Sequence, residues 1–324
     1  MISRFLLISL FMGLTGGCQK STSYDLAITN VNVFDAETSL ILSNHNIVIN
    51  ADTIAGVLDA TDGISAKRIL DGEGRLACPG FIDTHMHLAD LFGGYEHAAE
   101  FLNVDSLDYY KKKLAEEYLN FGVTTLRDAG HAEEWLDVSL LLQQYPEPGF
   151  PNILLSGAAL ISNEDREPYR GHAELMNPED ARNKVNEYHE LGIRQIKLYW
   201  RLREPEMKSI IEASESLGMH VYGHFDNNVV RIPEALDLGV NHFEHVLTVF
   251  KSVFDFQGYW NDFQEKYYSN FPELSFGSLT LEIFRYVDSI PDLNTELNEL
   301  LEEMGMREAT LSSSLHIFGS YVDN

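Results

Sequence analysis

The chain has 324 residues, of which 44% are hydrophobic and 11% aromatic, a composition typical of a globular protein with a large core. Its 50 acidic and 23 basic residues give a formal net charge of −27 at pH 7. Because such a charge repels polyanions, it argues against nucleic acid or an anionic membrane surface as a partner. We attribute the excess charge to solubility.

The N-terminus has the three parts of a secretory signal. A short basic start precedes an apolar run from Phe5 to Leu14, which is too short to span a bilayer, and small residues then lead to Cys18. This order resembles a bacterial lipobox, with Leu14 one position further from the cysteine than usual. We predict a signal peptide over 1–17, lipidation of Cys18 and a tether over 18–24. The protein would then be anchored by its lipid in the bacterial cell envelope. Ordinary secretory cleavage and a buried first helix are the alternatives.

Residues 25–77 show short apolar groups between Asn, Asp and Gly turns, which predicts a small N-terminal β-domain. The chain has two cysteines, and lipidation of Cys18 would leave Cys78 without a disulfide partner. Cys78 has apolar neighbours, so we expect it to be a small buried hydrophobic residue rather than a nucleophile.

The stretch from Pro79 to His87 is the most informative in the chain. After a Pro-Gly turn, Phe81 and Ile82 are apolar in the manner of a buried strand. Side chains alternate along a strand, so His85 and His87 point the same way and could bind one metal ion. In a chain with twelve histidines, one His-x-His pair alone is weak evidence.

The whole string resembles the first barrel strand of the metal-dependent amidohydrolase superfamily, Pro-Gly-x-Ile-Asp-x-His-x-His. The resemblance extends from about Asp25 to the C-terminus. It implies a barrel of the triosephosphate isomerase type, with the chemistry at the C-terminal ends of its strands.

Beyond His87 the pattern alternates between strands and helices, which is typical of a parallel sheet. One helix is predicted from Pro178 to Leu191, with Asn177 as its cap. The later strands are predicted at 123–130, 152–161, 194–200, 219–225, 242–247 and 309–318. We therefore predict an α/β fold in which residues 78–324 form an incomplete (β/α)8 barrel of about seven strands, lacking strand eight.

Three further candidate ligands lie on later predicted strands: Lys197 on the fourth, His224 on the fifth and His245 on the sixth. Taken singly, a strand lysine usually extends its amine to solvent, and a lone histidine usually makes a core hydrogen bond. With His85 and His87, however, they reproduce the ligand order of the superfamily. The resemblance therefore implies that these five residues bind metal.

Lys197 indicates which subtype of the amidohydrolase superfamily the chain resembles. An ammonium has no lone pair for a metal, but a neutral lysine can react with carbon dioxide to give a carbamate that bridges two cations. Relatives with this lysine generally hold two divalent metals, and the mixed ligation suits zinc, with manganese, iron and cobalt as the alternatives. Many deaminases instead carry His-x-x-Glu on strand five, whereas here Asn227 stands in the glutamate position after His224. Both observations favour hydrolysis over deamination.

Within the superfamily, the stretches around residues 123–130 and 196–199 look most like dipeptidase and imidazolonepropionase relatives. His172 and Tyr199 are therefore candidates to hold a substrate carboxylate or a developing oxyanion. A solvated loop histidine and a packed tyrosine are equally weighted alternatives. The resemblance implies a small-molecule substrate with an amide-like carbon–nitrogen bond, such as an acyl-amino acid or a dipeptide.

Superfamily members also carry an aspartate at the end of strand eight, which ligates metal and transfers a proton. We find no counterpart after Phe318, so the catalytic residue stays unassigned. Two hypotheses follow. Either the chain is a truncated hydrolase, or it is a catalytically inactive envelope lipoprotein that serves as a binding module.

Overall fold

The computed structural model describes residues 23–91, 104–144, 148–164, 171–225, 230–253, 256–268 and 276–315. The predicted signal peptide, the lipidation site Cys18 and the end of the predicted seventh strand lie outside these residues. The chain divides between Pro79 and Gly80 into two compact units.

The N-terminal unit is built from β-strands. Its strands are β1 (Ser23–Asp35), β2 (Leu40–Asn50), β3 (Thr53–Asp59), β4 (Ser65–Asp71) and β5 (Leu76–Ala77). They form one sheet in the order β3-β2-β1-β4, with β5 also paired to β1. The pairs β1–β2 and β2–β3 are antiparallel, whereas β4 and β5 run parallel to β1. The centre of the sheet is buried at Ala27 and Val48, and the edge strands expose Ile54 and Ile69.

The expectation that Cys78 is buried is wrong, because its side chain is exposed. Cys78 follows the two-residue strand β5 and is not itself part of a paired strand. The strand that begins after it is also exposed at its start, at Phe81 and Ile82. Apolar neighbours in sequence therefore do not enclose this thiol.

The second unit contains nine parallel strands among the described residues. Its first sheet has the order β6-β7-β8, and its second has the order β10-β9-β11-β12-β13-β14. These strands are β6 (Phe81–Met86), β7 (Val123–Asp128), β8 (Asn152–Leu155), β9 (Leu160–Ser162), β10 (Ala173–Leu175), β11 (Gln195–Leu198), β12 (His220–Gly223), β13 (His242–Glu244) and β14 (Thr310–Ser312). The α/β class and the parallel sheets agree with the sequence prediction.

Helices follow most of these strands. They are α1 (Leu88–Leu91), α2 (Leu107–Tyr118), α3 (Leu136–Gln144), α4 (Pro178–Glu190), α5 (Glu204–Ser216), α6 (Ile232–Asp237), α7 (Val246–Val253), α8 (Phe256–Phe263), α9 (Phe276–Asp288) and α10 (Pro291–Met306). The start of α4 is the predicted one. The side chain of Asn177 accepts hydrogen bonds from the backbone N–H groups of Glu179 and Asp180, both at 3.0 Å.

The predicted single barrel is not seen as one continuous sheet in the described ranges. The predicted third strand divides into β8 and β9, which belong to different sheets. Between them Gly157 has a φ of 68°, a left-handed conformation that interrupts a strand. Side-chain hydrogen bonds still connect the two sheets at both edge strands of the three-stranded sheet, β6 and β8. Gln195 donates to the carbonyl of Leu154 at 3.1 Å, and the hydroxyls of Thr84 and Ser312 lie 3.3 Å apart.

The aromatic, acidic segment between the sixth and seventh predicted strands is mostly helical where it is described. A small separate core contains Phe263, Ile283 and Tyr286, and the rings of Phe250 and Phe284 stack with centroids 4.2 Å apart. No helix in the described part of the chain combines the length and apolar character that crossing a bilayer would require.

Candidate metal centre

The two parallel sheets bring four of the predicted metal ligands together. His85 lies in β6 and His87 directly follows it, whereas His224 and His245 follow β12 and β13. The ring centroids of His85 and His87 are 5.2 Å apart, and those of His85 and His245 are 4.5 Å apart. The ring centroids of His224 and His245 are 4.4 Å apart. The four imidazoles thus form a series of neighbouring pairs at the C-terminal ends of the strands.

Lys197, the fifth predicted ligand, lies in β11 and is 2% exposed. Its Nζ has no hydrogen-bond partner within the described structure and lies 5.0 Å from the ring centroid of Tyr222. Burial lowers the pKa of this amine from 10.5 to about 8, an effect that the nearby Glu244 opposes and Arg127 adds to. The neutral amine is the form that can react with carbon dioxide.

Three of the imidazoles are oriented through Nδ1. His85 Nδ1 lies 2.5 Å from Oε2 of Glu244, and His87 Nδ1 lies 2.9 Å from the carbonyl oxygen of Gly130. His245 Nδ1 lies 3.1 Å from the hydroxyl of Ser314. A histidine anchored through Nδ1 presents Nε2 to a metal, which is the usual arrangement of metal-ligating histidines.

The chain that follows β7 fixes the position of His87. The backbone N–H of Ala129 donates to the carbonyl of Met86 at 2.8 Å, and Gly130 supplies the carbonyl beside the imidazole. The buried carboxylate of Asp128 accepts from the N–H of Leu88 at 3.0 Å. Both backbone neighbours of His87 are therefore held by the end of the adjacent strand.

Burial also favours the neutral form of two of the histidines, His85 and His245. Burial is the largest cause that lowers the pKa of His85, followed by the charge of Lys197. The pKa of His245 is lowered in the same way, first by burial and then by His224. Neutral imidazole is the form that ligates a metal, so these two rings are kept in the competent state.

The donor set fits a divalent cation in its chemistry. It combines four partly buried imidazoles, two of which have a pKa lowered by burial, with a buried amine that lacks a hydrogen-bond partner. Within the described ranges, however, no group of three or more His, Cys, Asp or Glu side chains already has the mutual geometry of a metal site.

Sequence reasoning missed two residues at this centre, the buried Glu244 and the partly buried Arg127. Glu244 is 1% exposed and is ion-paired with Arg127, whose guanidinium lies 4.1 Å from the ring centroid of Tyr222. The pKa of the Glu244 carboxyl is raised, and burial is the largest cause. His245 has a φ of 64°, so the strand alternation ends at Glu244 and consecutive residues both reach the centre. The only signal in the sequence was an acidic residue within an apolar strand.

The predicted substrate-binding residues adjoin the imidazoles. The ring centroid of Tyr199 lies 4.4 Å from that of His172 and 5.2 Å from that of His224. They share a cavity of about 200 Å³, lined by His87, Ala129, Gly130, Ala159, His172, Tyr199, His224 and His245. A larger cleft of about 710 Å³ opens beside His85 and includes Asp83, Asp90 and Glu117.

Comparison with known proteins gives three kinds of similarity. A family model described as "Amidohydrolase family" matches residues 76–259. Adenine deaminase from Gluconobacter oxydans is 44% identical over 64 residues, which cover 20% of this chain and 11% of that enzyme. Imidazolonepropionase from Klebsiella pneumoniae subsp. pneumoniae is 29% identical over 106 residues, which cover 33% of this chain and 25% of that enzyme. The matches thus span only a minor part of these curated relatives.

A solved structure of a prolidase complexed with N-methylphosphonate-L-proline is similar in fold. Its TM-score is 0.58, with 21% sequence identity over 89% of this chain and 78% of that chain. At this identity the likeness concerns the fold alone.

Proposed function

Because the chain belongs to the amidohydrolase family, we propose that it is a metal-dependent hydrolase of amide-like carbon–nitrogen bonds in small molecules. The observation that carries this proposal is the approach of the four imidazoles to one another beside a buried lysine whose amine has no hydrogen-bond partner. Acyl-amino acids and dipeptides are the substrates that we favour.

In this proposal His85, His87, His224, His245 and Lys197 hold two divalent ions, most simply zinc, with Lys197 carrying a carbamate. When bound, such ions supply Lewis acidity, which polarises a carbonyl and lowers the pKa of water. The protein contributes the orientation of its ligands and a small cavity that limits access of solvent. His172 and Tyr199 border that cavity and can donate hydrogen bonds to a substrate carboxylate or to an oxygen that gains negative charge.

Lys197 is also the reason to favour hydrolysis over deamination, since a buried amine with a pKa lowered to about 8 loses its proton more readily and can then form a carbamate. The similarity to an adenine deaminase makes adenine the proper competing substrate. The fold similarity to a prolidase in turn suggests dipeptides that end in proline.

Two further parts of the proposal concern architecture and location. We propose that the two parallel sheets belong to one (β/α)8-type barrel, which the βα alternation and the side-chain contacts between the sheets support. We also propose that Cys18 carries a lipid and holds the protein on the bacterial cell envelope, on the basis of the N-terminal sequence.

The test begins with metal-free protein and adds zinc. We expect hydrolysis of N-acyl amino acids or Xaa-Pro dipeptides to appear with zinc, and adenine to remain unchanged. His224→Ala should abolish both zinc retention and turnover, whereas His189→Ala on α4 should leave both unaffected. Zinc retention that does not depend on His224, or turnover of adenine alone, would contradict the proposal.

A further inference from the structure

Glu244 has both carboxylate oxygens engaged although it is almost completely buried. Oε2 accepts from Nδ1 of His85 at 2.5 Å, and Oε1 is ion-paired with the guanidinium of Arg127. The side chains of His85 and Glu244 are 7% and 1% exposed. A hydrogen bond to a carboxylate in such a dry environment is a strong one.

Arg127 is itself held from several directions. Its Nε donates to the carbonyl of Thr84 at 2.6 Å, and its guanidinium lies over the ring of Tyr222. Arg127 and His85 belong to the three-stranded sheet, whereas Glu244 belongs to the six-stranded sheet. The ion pair therefore crosses between the sheets next to a proposed ligand.

The three anchors of the imidazoles differ in chemistry. His87 is held by the carbonyl of Gly130 and His245 by the hydroxyl of Ser314, whereas His85 is held by a carboxylate. An ionised carboxylate accepts hydrogen bonds and donates none, and its negative charge makes it a stronger acceptor than a carbonyl, so it keeps the proton on Nδ1 and leaves Nε2 for a metal. It also makes the imidazole a stronger donor to the metal.

We propose that Glu244 is a positioning residue for metal binding, which fixes the tautomer and direction of His85 while Arg127 fixes Glu244. The inference rests on the proposed function, because it takes His85 as a ligand. Its alternative is a buried ion pair that only joins the two sheets and has no effect on the imidazole.

The experiment compares Glu244→Gln with Glu206→Gln as a matched control. Glu206 is also a buried glutamate that is ion-paired with an arginine, but its contacts are with Arg203 and Ser162. Competition with a chromogenic chelator measures zinc affinity, and ¹⁵N NMR of the histidine rings in metal-free protein reports the tautomer of His85. We expect Glu244→Gln to weaken zinc binding by roughly 10- to 100-fold and to shift His85 away from the Nδ1–H tautomer. Glu206→Gln should change neither.

Glu244→Gln leaves the partly buried guanidinium of Arg127 without its carboxylate, which endangers folding. The double variant Glu244→Gln with Arg127→Leu removes that charge. We expect it to fold and still to bind zinc at least tenfold more weakly than the wild type.

His85→Ala tests separately whether His85 is a metal ligand and whether Glu244 positions it. If His85→Ala loses zinc but the double variant binds zinc as tightly as the wild type, Glu244 has only a structural role and the inference is wrong. If His85→Ala also retains full zinc affinity, His85 is no ligand, and the proposed metal centre fails together with this inference. An unchanged tautomer of His85 in Glu244→Gln would equally overturn it.

Discussion

We predict that Lys197→Met makes the metal-free protein more stable at pH 7 while it abolishes metal retention. Lys197 is buried, and its amine has no hydrogen-bond partner in the described structure, so the folded state disfavours its charge. Burial lowers the pKa of Lys197 from 10.5 to about 8. That difference corresponds to about 3 kcal/mol of destabilisation at pH 7, since each decade in a dissociation constant is about 1.4 kcal/mol. Methionine has a similar length without a charge and can pack against Tyr222.

The prediction has a definite dependence on pH. Between about pH 8 and 10.5 the unfolded chain keeps the proton of Lys197 and the folded protein has lost it, so wild-type stability rises with pH in this window. Below pH 8 the lysine is charged in both states, and the destabilisation is at its full value. The advantage of Lys197→Met should therefore be largest at pH 7 and should vanish above pH 10.5.

Urea unfolding of metal-free protein at pH 7 and pH 10 measures this advantage, and elemental analysis measures the bound metal. Lys208→Met provides the control, because Lys208 is exposed on α5 and its replacement should change stability by less than about 0.5 kcal/mol. A Lys197→Met variant that is less stable than the wild type at pH 7 would refute the argument from an uncompensated buried charge. Metal retention by this variant would refute the role of Lys197 as a ligand.

Two other predictions concern the fold and the location of the protein. Gly157→Ala should lower stability by about 3 kcal/mol in urea unfolding, because Gly157 has a φ of 68° and an added methyl group would overlap the buried ring of Tyr188. Gly192→Ala, at a φ of 89° with open space around it, should cost only about 1 kcal/mol, and equal losses would contradict the steric argument. Cys18→Ser should move the protein from the membrane fraction to the soluble fraction after cell breakage, whereas Cys78→Ser should not. Membrane association that persists in Cys18→Ser would disprove the lipid anchor.

The sequence alone determined the local features of this protein. The alternation of side chains along a strand placed His85 and His87 on one side, and an Asn-Pro pair fixed where α4 begins. The order of strands and helices predicted the parallel sheets, and the resemblance to the amidohydrolase superfamily implied the five metal ligands. Apart from the set of metal ligands, each of these features depends on residues a few positions apart, and such patterns are readable in a sequence.

Tertiary structure alone decided how distant segments meet. Glu244 contacts His85 across 159 positions and Arg127 across 117, and no local pattern encodes either pairing. The pairing of strands with one another likewise decides where the predicted third strand divides, at Gly157, and whether Cys78 is exposed. Burial and long-range charge contacts arise only once the chain has folded, so the lowered pKa of Lys197 and the role of Glu244 could not be predicted from the sequence.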